Sequence, residues 1–236
     1  MTIELIRFMV LTALSVTLLV HFSLITFILA RCSKIVNAWM LLAVVFYSAL
    51  WAGSVVGSIL APDIMWLALR YHFGIGMLGF LYLYLAHFPK ETKLQMRHLA
   101  VASFAFAIAL LAFLPNAIAT QLDMIGYGYQ NTWDGWLYPI ARFAIFFSFI
   151  SVIIVLVNHL RNAKGAAHII LSQLTISVCA ILLINLLLVS ILPYFGITSL
   201  VALTPVSNII LLMTITTFIV TAPMAGLDAQ YHARVK

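Results

Sequence analysis

The sequence predicts an all-α membrane protein, a bundle of seven transmembrane helices with the N-terminus outside and the C-terminus in the cytoplasm. Three observations carry this prediction. The 236-residue chain is 65% hydrophobic and 8% charged, with a mean hydropathy of +1.16, whereas a soluble domain averages about 25% charged residues. Seven apolar runs, each close to membrane-spanning length, follow one another along the chain. Basic residues occur in alternate loops between these runs.

The seven runs divide one predicted domain, residues 1–236, into successive spans. Their approximate bounds are 6–30, 36–60, 65–88, 98–114, 136–158, 167–192 and 198–222. The hydrocarbon core of a bilayer needs about 20 apolar residues in a helix. The first run is too long for the apolar core of a signal peptide, so we expect it to remain as a span. The fourth is the shortest and ends at Pro115.

The loop charges set the predicted orientation. The first, third and fifth loops and the tail are basic, with Arg31, Lys34, Lys90, Lys93, Arg97, Arg161, Lys164, Arg234 and Lys236. The second, fourth and sixth loops have no Lys or Arg, but they contain Asp63, Asp123 and Asp134. Since positive loops stay inside, we expect a multi-pass protein of the plasma (inner) membrane of a prokaryote. The net charge of +6 then reflects topology and does not indicate a nucleic-acid partner.

Polar residues interrupt four of the runs at comparable predicted depth. Arg70 and His72 lie near the outer end of the third run, Arg142 near that of the fifth, and Asn185 and Asn208 in the sixth and seventh. A guanidinium inside hydrocarbon costs roughly 3 kcal/mol on insertion scales. An arginine at this depth should therefore face protein or water.

Two interpretations of these polar residues stay open. The arginines can extend to the headgroups or pair with Asp63, Asp123, Asp134 or Glu4, while the asparagines join helices. Alternatively, they line an outward-facing pocket for an anionic or hydrogen-bonding small-molecule ligand. The aromatic loop 115–135, followed by Trp136 and Tyr138, is then either an interfacial belt or a wall over that pocket.

The residue inventory argues against several membrane enzymes and cofactors. The spans contain no Asp or Glu away from their ends and no Gly-x-Ser-x-Gly stretch, and the last span has no lysine for a retinal Schiff base. The two cysteines, Cys32 and Cys179, have no metal-ligand spacing. We therefore expect no catalytic site, no metal and no cofactor.

Glycines in the second and third runs predict close helix packing. Gly53 and Gly57 form a G-x-x-x-G pattern, and Gly74, Gly76 and Gly79 follow in the third run. Small residues let helix backbones approach closely in membranes. Packing within the bundle and a homodimer interface both fit this pattern.

Aromatic and polar motifs also suggest a family. Trp39 and Trp51 stand in the second run, the third reads MWLALRYHFGIGMLGFLYLYLAHFPKE, and the chain closes with LTPVSNIILLMTITTFIV and a short basic tail. This order resembles the N-terminal seven-helix sensor region of bacterial histidine kinases and related diguanylate cyclases. The resemblance implies an N-out, C-in bundle whose tail leads to cytoplasmic PAS, kinase or cyclase domains. The chain stops about 14 residues after the last predicted span, so we expect a kinase, a cyclase or another output partner.

We therefore expect a sensory input module without enzymatic activity. An unknown ligand would bind in the outer half of the bundle, and the seventh helix would pass the signal to the tail. The competing interpretation is a small transporter or channel subunit. Its polar path would continue inward past Ser172, Gln173, Thr175 and Ser177 of the sixth run and Thr214, Thr216 and Thr217 of the seventh.

Overall fold

The structure is a computed structural model that describes residues 3–31, 37–87, 95–125, 128–132, 135–192, 195, 201–210 and 212–214. Its elements in chain order are α1 (Ile3–Arg31), α2 (Ala38–Leu60), α3 (Ile64–His87), α4 (Met96–Leu111), β1 (Gln121–Ile125), β2 (Gly128–Thr132), α5 (Tyr138–Asn162) and α6 (Ala166–Leu186). A π-helical turn, Leu187–Ile191, extends α6. The last segment begins as a 3-10 helix at Val201–Ser207 and continues as helix through residues 208–210 and 212–214.

The helices are those of a membrane protein. Within the described residues, four are long and apolar enough to cross a bilayer: Glu4–Arg31, Ala38–Leu60, Ile64–His87 and Tyr138–Asn162. Three more stretches are apolar but shorter: Met96–Leu111, Leu171–Leu186 and Ala202–Thr214. The helical membrane class is thus confirmed, while the count of seven spans and the orientation of the termini stay predictions. Residues 198–200 and 215–222 of the predicted seventh span lie outside the described residues.

Local chemistry explains several helix boundaries. The carboxylate of Asp63 accepts a hydrogen bond from the backbone N–H of Met65 at 2.8 Å and so caps the start of α3. Pro139 stands in the first turn of α5, where its missing N–H costs nothing. Asn37 (φ 55°) and Gly165 (φ 60°) turn the chain into α2 and α6 in the left-handed region.

A short β-hairpin joins α4 to α5, and the all-helical prediction missed it. The two strands pair antiparallel, with Gln121 opposite Thr132 and Ile125 opposite Gly128. Part of the predicted aromatic loop is thus paired as two strands between α4 and α5. We call this end of the bundle, where α2, α4 and α6 end and α3 and α5 begin, the hairpin end. Tyr127, Trp133 and Asp134 lie outside the described residues.

Helix α3 lies at the centre of the bundle and packs against α2, α4 and α5. The largest cluster of buried apolar side chains joins these helices to α1 and α6 and includes Leu41, Val44, Leu81, Val152, Leu174 and Ile181. Glycine makes the α2–α3 contact possible. A Cβ at Gly76 would stand 2.5 Å from the Tyr47 ring of α2, and a Cβ at Gly57 would stand 2.7 Å from the Trp66 ring of α3. These glycines serve packing within the bundle.

Candidate functional site

A cavity of about 140 Å³ lies inside the bundle near the hairpin end. Its wall is formed by α2, α3, α5, α6 and the last segment. The side chains with polar groups in the wall are Arg70, Tyr71, Arg142, Asn185 and Thr204, and the apolar ones include Trp51, Met77, Leu78, Ile145, Phe149 and Leu182. Three of the residues that the sequence predicts as ligand-binding, Arg70, Arg142 and Asn185, thus come together around one space.

Arg70 enters the cavity from α3. It lies about 9 Å along the helix from Ile64, at 1.5 Å per residue, and its side chain is half-buried. One guanidinium nitrogen donates to the hydroxyl of Ser58 on α2 at 3.3 Å. Ser58 in turn donates to the backbone oxygen of Val55 at 2.7 Å. This chain of bonds holds the guanidinium toward α2 and not toward lipid.

Arg142 reaches the cavity from α5 and rests on Tyr138. Its Nη1 donates to the Tyr138 hydroxyl at 3.2 Å, and its guanidinium carbon lies 5.6 Å from the centre of the Tyr138 ring. The Tyr138 ring also meets the Tyr71 ring edge-on, with the centroids 6.2 Å apart. Tyr138 therefore supports Arg142 from outside the wall, by a hydrogen bond and a cation–π contact, and does not line the cavity.

Asn185 ties α6 to the last segment at the cavity. Its amide nitrogen donates to the backbone oxygen of Ile181 at 3.0 Å and to the hydroxyl of Ser207 at 3.2 Å. Ser207 donates to the backbone oxygen of Thr204 at 2.7 Å. Since Asn185 and Thr204 both line the cavity, an occupant would touch both members of this inter-helix connection. The π-helical turn begins two residues after Asn185, and such turns often mark functional sites.

Asn208 lies in the core next to the cavity and not in its wall. Its amide nitrogen donates to the Ser48 hydroxyl at 3.0 Å and approaches the sulfur of Met77 at 3.4 Å. Ser48 meets Nε2 of His21 at 2.7 Å, and Nδ1 of His21 meets the backbone oxygen of Thr17 at 2.6 Å. A carbonyl oxygen only accepts, so Nδ1 carries the hydrogen and Nε2 accepts from Ser48. We call Thr17, His21, Ser48 and Asn208 the buried polar chain.

Besides Tyr138 and Asn208, two more predicted ligand-binding residues, His72 and Trp136, lie outside the cavity wall. His72 follows Arg70 by two residues, about 200° around the helix, so it faces α4. There its Nδ1 meets the backbone oxygen of Ala109 at 3.0 Å, and its ring packs 4.7 Å from the Phe113 ring. Trp136 is 55% exposed and contributes no wall surface. The structure therefore assigns His72 to helix packing and places Trp136 on the surface.

Sequence reasoning missed most of the apolar wall. The sequence indicated Trp51 of α2 only as part of a family motif. In the structure, Trp51 lines the cavity opposite Gly74. A Cβ at Gly74 would stand 3.7 Å from the Trp51 ring, so this glycine leaves space where Gly76 leaves none. A tryptophan and a glycine on neighbouring helices could have indicated such a space. No comparable feature of the sequence indicated that Thr204 of the last segment would line the cavity.

The described wall combines hydrogen-bond donors and acceptors, since Asn185 uses both amide hydrogens for Ile181 and Ser207 and retains its carbonyl oxygen as an acceptor. Guanidinium, amide and hydroxyl groups stand at one end, and aromatic and aliphatic groups fill the remainder. Within the described residues, no group of three His, Cys, Asp or Glu side chains could hold a metal ion, and no carboxylate lines the cavity. Such a site suits a ligand with hydrogen-bonding groups and an apolar part.

Comparison with known proteins supplies no relative from which a role could be transferred. No protein-family model, no curated protein and no solved structure matches this chain.

Proposed function

We propose that this protein is a membrane-embedded sensory input module, which binds a small molecule in the cavity and signals through its last helix. One observation carries the proposal. Thr204, in the segment that leads into the last helix and the tail, forms part of the cavity wall together with Arg70, Arg142 and Asn185. A ligand in the cavity would therefore contact the part of the chain that leads to the C-terminus.

The transmission step follows from the bonds around Asn185. An occupant that contacts Asn185 and Thr204 would compete with, or reinforce, the bond from Asn185 to Ser207. It would then change the free-energy difference between two arrangements of the last helix relative to α6. A ligand shifts such an equilibrium only by its difference in affinity for the two arrangements. The adjacent π-helical turn, Leu187–Ile191, provides a place where α6 can adjust its register.

The predicted topology and the family resemblance support this proposal. In a seven-span, N-out bundle, the cavity would open toward the outer half of the membrane and the tail would lie in the cytoplasm. The motifs shared with sensor regions of histidine kinases and diguanylate cyclases would then imply a kinase, a cyclase or another output partner. A homodimer would fit such signalling. The site would lie in the plasma membrane of a prokaryote.

The alternative, a small transporter or channel subunit, needs a polar path from the cavity to the opposite end. Three hydroxyl groups on that path, those of Thr175, Ser177 and Thr214, bond to one another or to their own helices. Ser177 bonds to Thr214 at 2.8 Å, and Thr175 donates to the backbone oxygen of Leu171 at 2.7 Å. They are not part of the cavity wall. This arrangement favours the sensor, since the bond between Ser177 and Thr214 joins α6 to the last helix.

Filling the cavity with a side chain tests the sensor proposal without knowledge of the ligand. The variant Gly74→Val places methyl groups beside Trp51, and Gly53→Val is the matched control because a Cβ at Gly53 meets no atom within 4 Å. Hydrogen–deuterium exchange in nanodiscs should change in peptides from 208–236 for Gly74→Val and stay unchanged for Gly53→Val. An unchanged last helix in both variants would contradict signalling through it.

Flux measurements separate the sensor from the transporter. Proteoliposomes containing the protein should release entrapped small ions and organic anions no faster than protein-free liposomes. Release that increases with the amount of protein and falls in Gly74→Val would instead establish a transport path through the cavity.

A further inference from the structure

The carbonyl oxygen of Asn185 indicates the chemical class of the ligand that the cavity takes. We propose that the cavity binds a small neutral molecule with one apolar ring and one hydroxyl group, which enters from the bilayer and donates a hydrogen bond to this oxygen. This inference rests on the proposed role of the cavity as a ligand site. It adds the polarity, the size and the entry route of the ligand.

The bonds around Asn185 determine which atom of its side chain is left for a ligand. The backbone oxygen of Ile181 only accepts hydrogen bonds, so the amide nitrogen of Asn185 must face it, at 3.0 Å. The second amide hydrogen goes to the Ser207 hydroxyl at 3.2 Å, and that hydroxyl donates its own hydrogen to the backbone oxygen of Thr204. Both amide hydrogens are therefore used. Within the described residues, the carbonyl oxygen of Asn185 accepts no hydrogen bond, and the side chain is only half-buried.

An acceptor in the cavity wall requires a ligand that donates a hydrogen bond. When a ligand displaces water from the Asn185 oxygen, the lost hydrogen bond is costly unless the ligand supplies a new donor. A hydroxyl group provides one donor and so matches this one oxygen. A ligand without a donor would leave the oxygen buried and unpaired.

The described wall favours a neutral ligand over a charged one. It contains no carboxylate, so a cationic ligand would be buried without a counter-charge. The two arginines already have partners within the protein. Arg70 bonds to Ser58, Arg142 bonds to Tyr138, and each has a further interaction besides. An anion would have to compete with these groups, and burying a poorly paired charge costs far more than burying a bonded hydroxyl group.

The size and the apolar lining of the cavity set the remainder of the ligand. A volume of about 140 Å³ is close to that of an engineered apolar cavity of about 150 Å³ that binds benzene. Leu182 lies about 4.5 Å further from the hairpin end than Asn185 on α6, and Trp51 and Phe149 line the same space from α2 and α5. One ring therefore fills the apolar part while its hydroxyl group reaches Asn185. A two-chain phospholipid or a folded peptide is too large to be enclosed.

The wall is thinnest where α5 and α6 face the bilayer. Phe146 of α5 lines the cavity and is also 46% exposed. On the adjacent helix α6, Leu182 and Leu186 also line the cavity and are half-buried. A residue that borders both the cavity and the outer surface leaves a single side chain between a ligand and lipid. A neutral ring with a hydroxyl group concentrates at the membrane interface, as tyrosine side chains do, and would enter here from the side.

Fluorine NMR of the full chain in zwitterionic nanodiscs tests this ligand class. The probe is 4-fluorophenol, and its partner 4-fluorotoluene has nearly the same shape without the hydroxyl group. At pH 7 the phenol is neutral, because a phenolic pKa is about 10. Titration of each probe, corrected for its uptake by empty nanodiscs, gives its Kd. We expect 4-fluorophenol to bind in a saturable manner and about two- to tenfold more tightly than 4-fluorotoluene, which is the effect of one hydrogen bond.

Variants show whether this preference comes from Asn185. Asn185→Leu removes the acceptor, so the two probes should then bind equally, within about twofold. The control is Ser177→Ala. Ser177 also bonds α6 to the last helix, through Thr214 at 2.8 Å, but it does not line the cavity, so the preference should persist. Comparing two probes in one variant cancels a general loss of affinity, and a preference that survives Asn185→Leu would remove Asn185 from the site.

Filling the cavity shows whether the probes occupy it. Gly74→Val should weaken the binding of both probes, because its methyl groups stand beside Trp51 in the cavity wall. Gly53→Val should leave both affinities unchanged, since a Cβ at Gly53 meets no atom within 4 Å. Equal affinities in the two glycine variants would place the probes elsewhere.

Several further outcomes would overturn the proposal. Equal binding of 4-fluorophenol and 4-fluorotoluene by the unchanged protein would mean that the hydroxyl group is not recognised. Tighter binding of 4-fluorobenzaldehyde, which accepts hydrogen bonds but does not donate them, would mean that the wall donates to the ligand. Tighter binding of 4-fluorobenzoate or 4-fluorobenzylammonium would establish a charged ligand, and no saturable binding of any probe would exclude a one-ring ligand. None of these results changes the exchange comparison between Gly74→Val and Gly53→Val, which tests the sensor separately.

Discussion

Asn208 of the last segment donates a hydrogen bond to Ser48 of α2 across 3.0 Å, between residues 160 positions apart in the sequence. Both side chains are buried. The same amide nitrogen lies 3.4 Å from the sulfur of Met77, and Met77 lines the cavity. The Asn208 side chain, which fixes the last helix to α2, thus contacts a residue of the cavity wall. This pairing links the site to the proposed output.

The bond between Asn208 and Ser48 should contribute measurably to stability. In a double-mutant cycle of Ser48→Ala and Asn208→Ala, we expect a coupling free energy of about 0.6 kcal/mol and no more than about 1.7 kcal/mol, the average and the maximum for hydrogen bonds between membrane helices. Reversible unfolding in mixed micelles gives the four free energies of unfolding. Additive effects would mean that the two side chains do not interact in the folded protein.

A second cycle serves as the control for this measurement. Ser54 lies on the same helix as Ser48 and is also buried, but its hydroxyl donates to the backbone oxygen of Trp51 within α2, at 2.7 Å. Ser54→Ala combined with Asn208→Ala should be additive within about 0.5 kcal/mol, because the two residues share no bond.

Gly76 should tolerate no side chain, because α2 and α3 touch there. A Cβ at this position would stand 2.5 Å from the Tyr47 ring, and inserting atoms into a packed core costs about 1–3 kcal/mol. Gly76→Ala should lower the midpoint of thermal unfolding of the detergent-solubilised protein, and Gly76→Leu should lower it further. An unchanged midpoint would mean that this face of α3 is open to lipid.

Two comparisons isolate the steric cause. Gly53→Ala should leave the midpoint unchanged or raise it, because alanine favours helix over glycine by up to about 1 kcal/mol and nothing lies within 4 Å. Tyr47→Ala should reduce the further loss caused by Gly76→Ala, since the clashing ring is then gone. If the loss persists without the ring, the cost comes from elsewhere.

His72 should contribute to stability through its contact with α4. His72→Ala removes the hydrogen bond to the backbone oxygen of Ala109 and the ring contact with Phe113. Losing a partly buried hydrogen bond costs about 0.5–1.5 kcal/mol, so thermal unfolding should occur at a lower temperature. An unchanged unfolding temperature would mean that His72 does not hold α3 to α4 in the folded protein.

The sequence predicted those features whose energetic cost depends on a residue and its immediate neighbours in the chain. An arginine in an apolar run has to find protein or water, and Arg70 and Arg142 both line a cavity. Proline and aspartate likewise mark the boundaries near α3, α4 and α5. The helices themselves follow from apolar length alone, because a backbone in lipid must satisfy its own hydrogen bonds.

The sequence did not predict how each helix is rotated about its own axis, or which residues distant in the sequence form pairs. Their similar predicted depth in the membrane suggested that Arg70 and His72 belong to one site. Two residues apart on a helix, however, they point about 200° away from each other and lie on opposite faces. The hairpin from Gln121 to Thr132 was missed because polar and apolar residues alternate only over the first strand, for four residues, and the pairing depends on the turn. The bond of Ser48 with Asn208 joins residues whose proximity depends on the whole bundle.

The topology gives the last prediction, and α4 is its critical element. With 16 residues, α4 is about 24 Å long, less than the roughly 30 Å of the hydrocarbon core. If only the four longest helices span the membrane, the hairpin stays on the same side as Gln95, and the loop after α5 and the C-terminus also change sides. If α4 spans with the residues that follow it, the basic loops remain together on one side.

Reporters at three positions distinguish these cases. In the seven-span bundle, a topology reporter inserted near Gly128 should report the outside, and reporters after Gln95 and after Lys236 should report the cytoplasm. With four spans and the same orientation of α1, the reporter near Gly128 would move to the cytoplasm and the reporter after Lys236 to the outside. The two arrangements differ in the side that both the Gly128 reporter and the Lys236 reporter report. One reporter fusion that does not work therefore cannot make one arrangement look like the other. Finding the Gly128 and Lys236 reporters on the same side would contradict both arrangements.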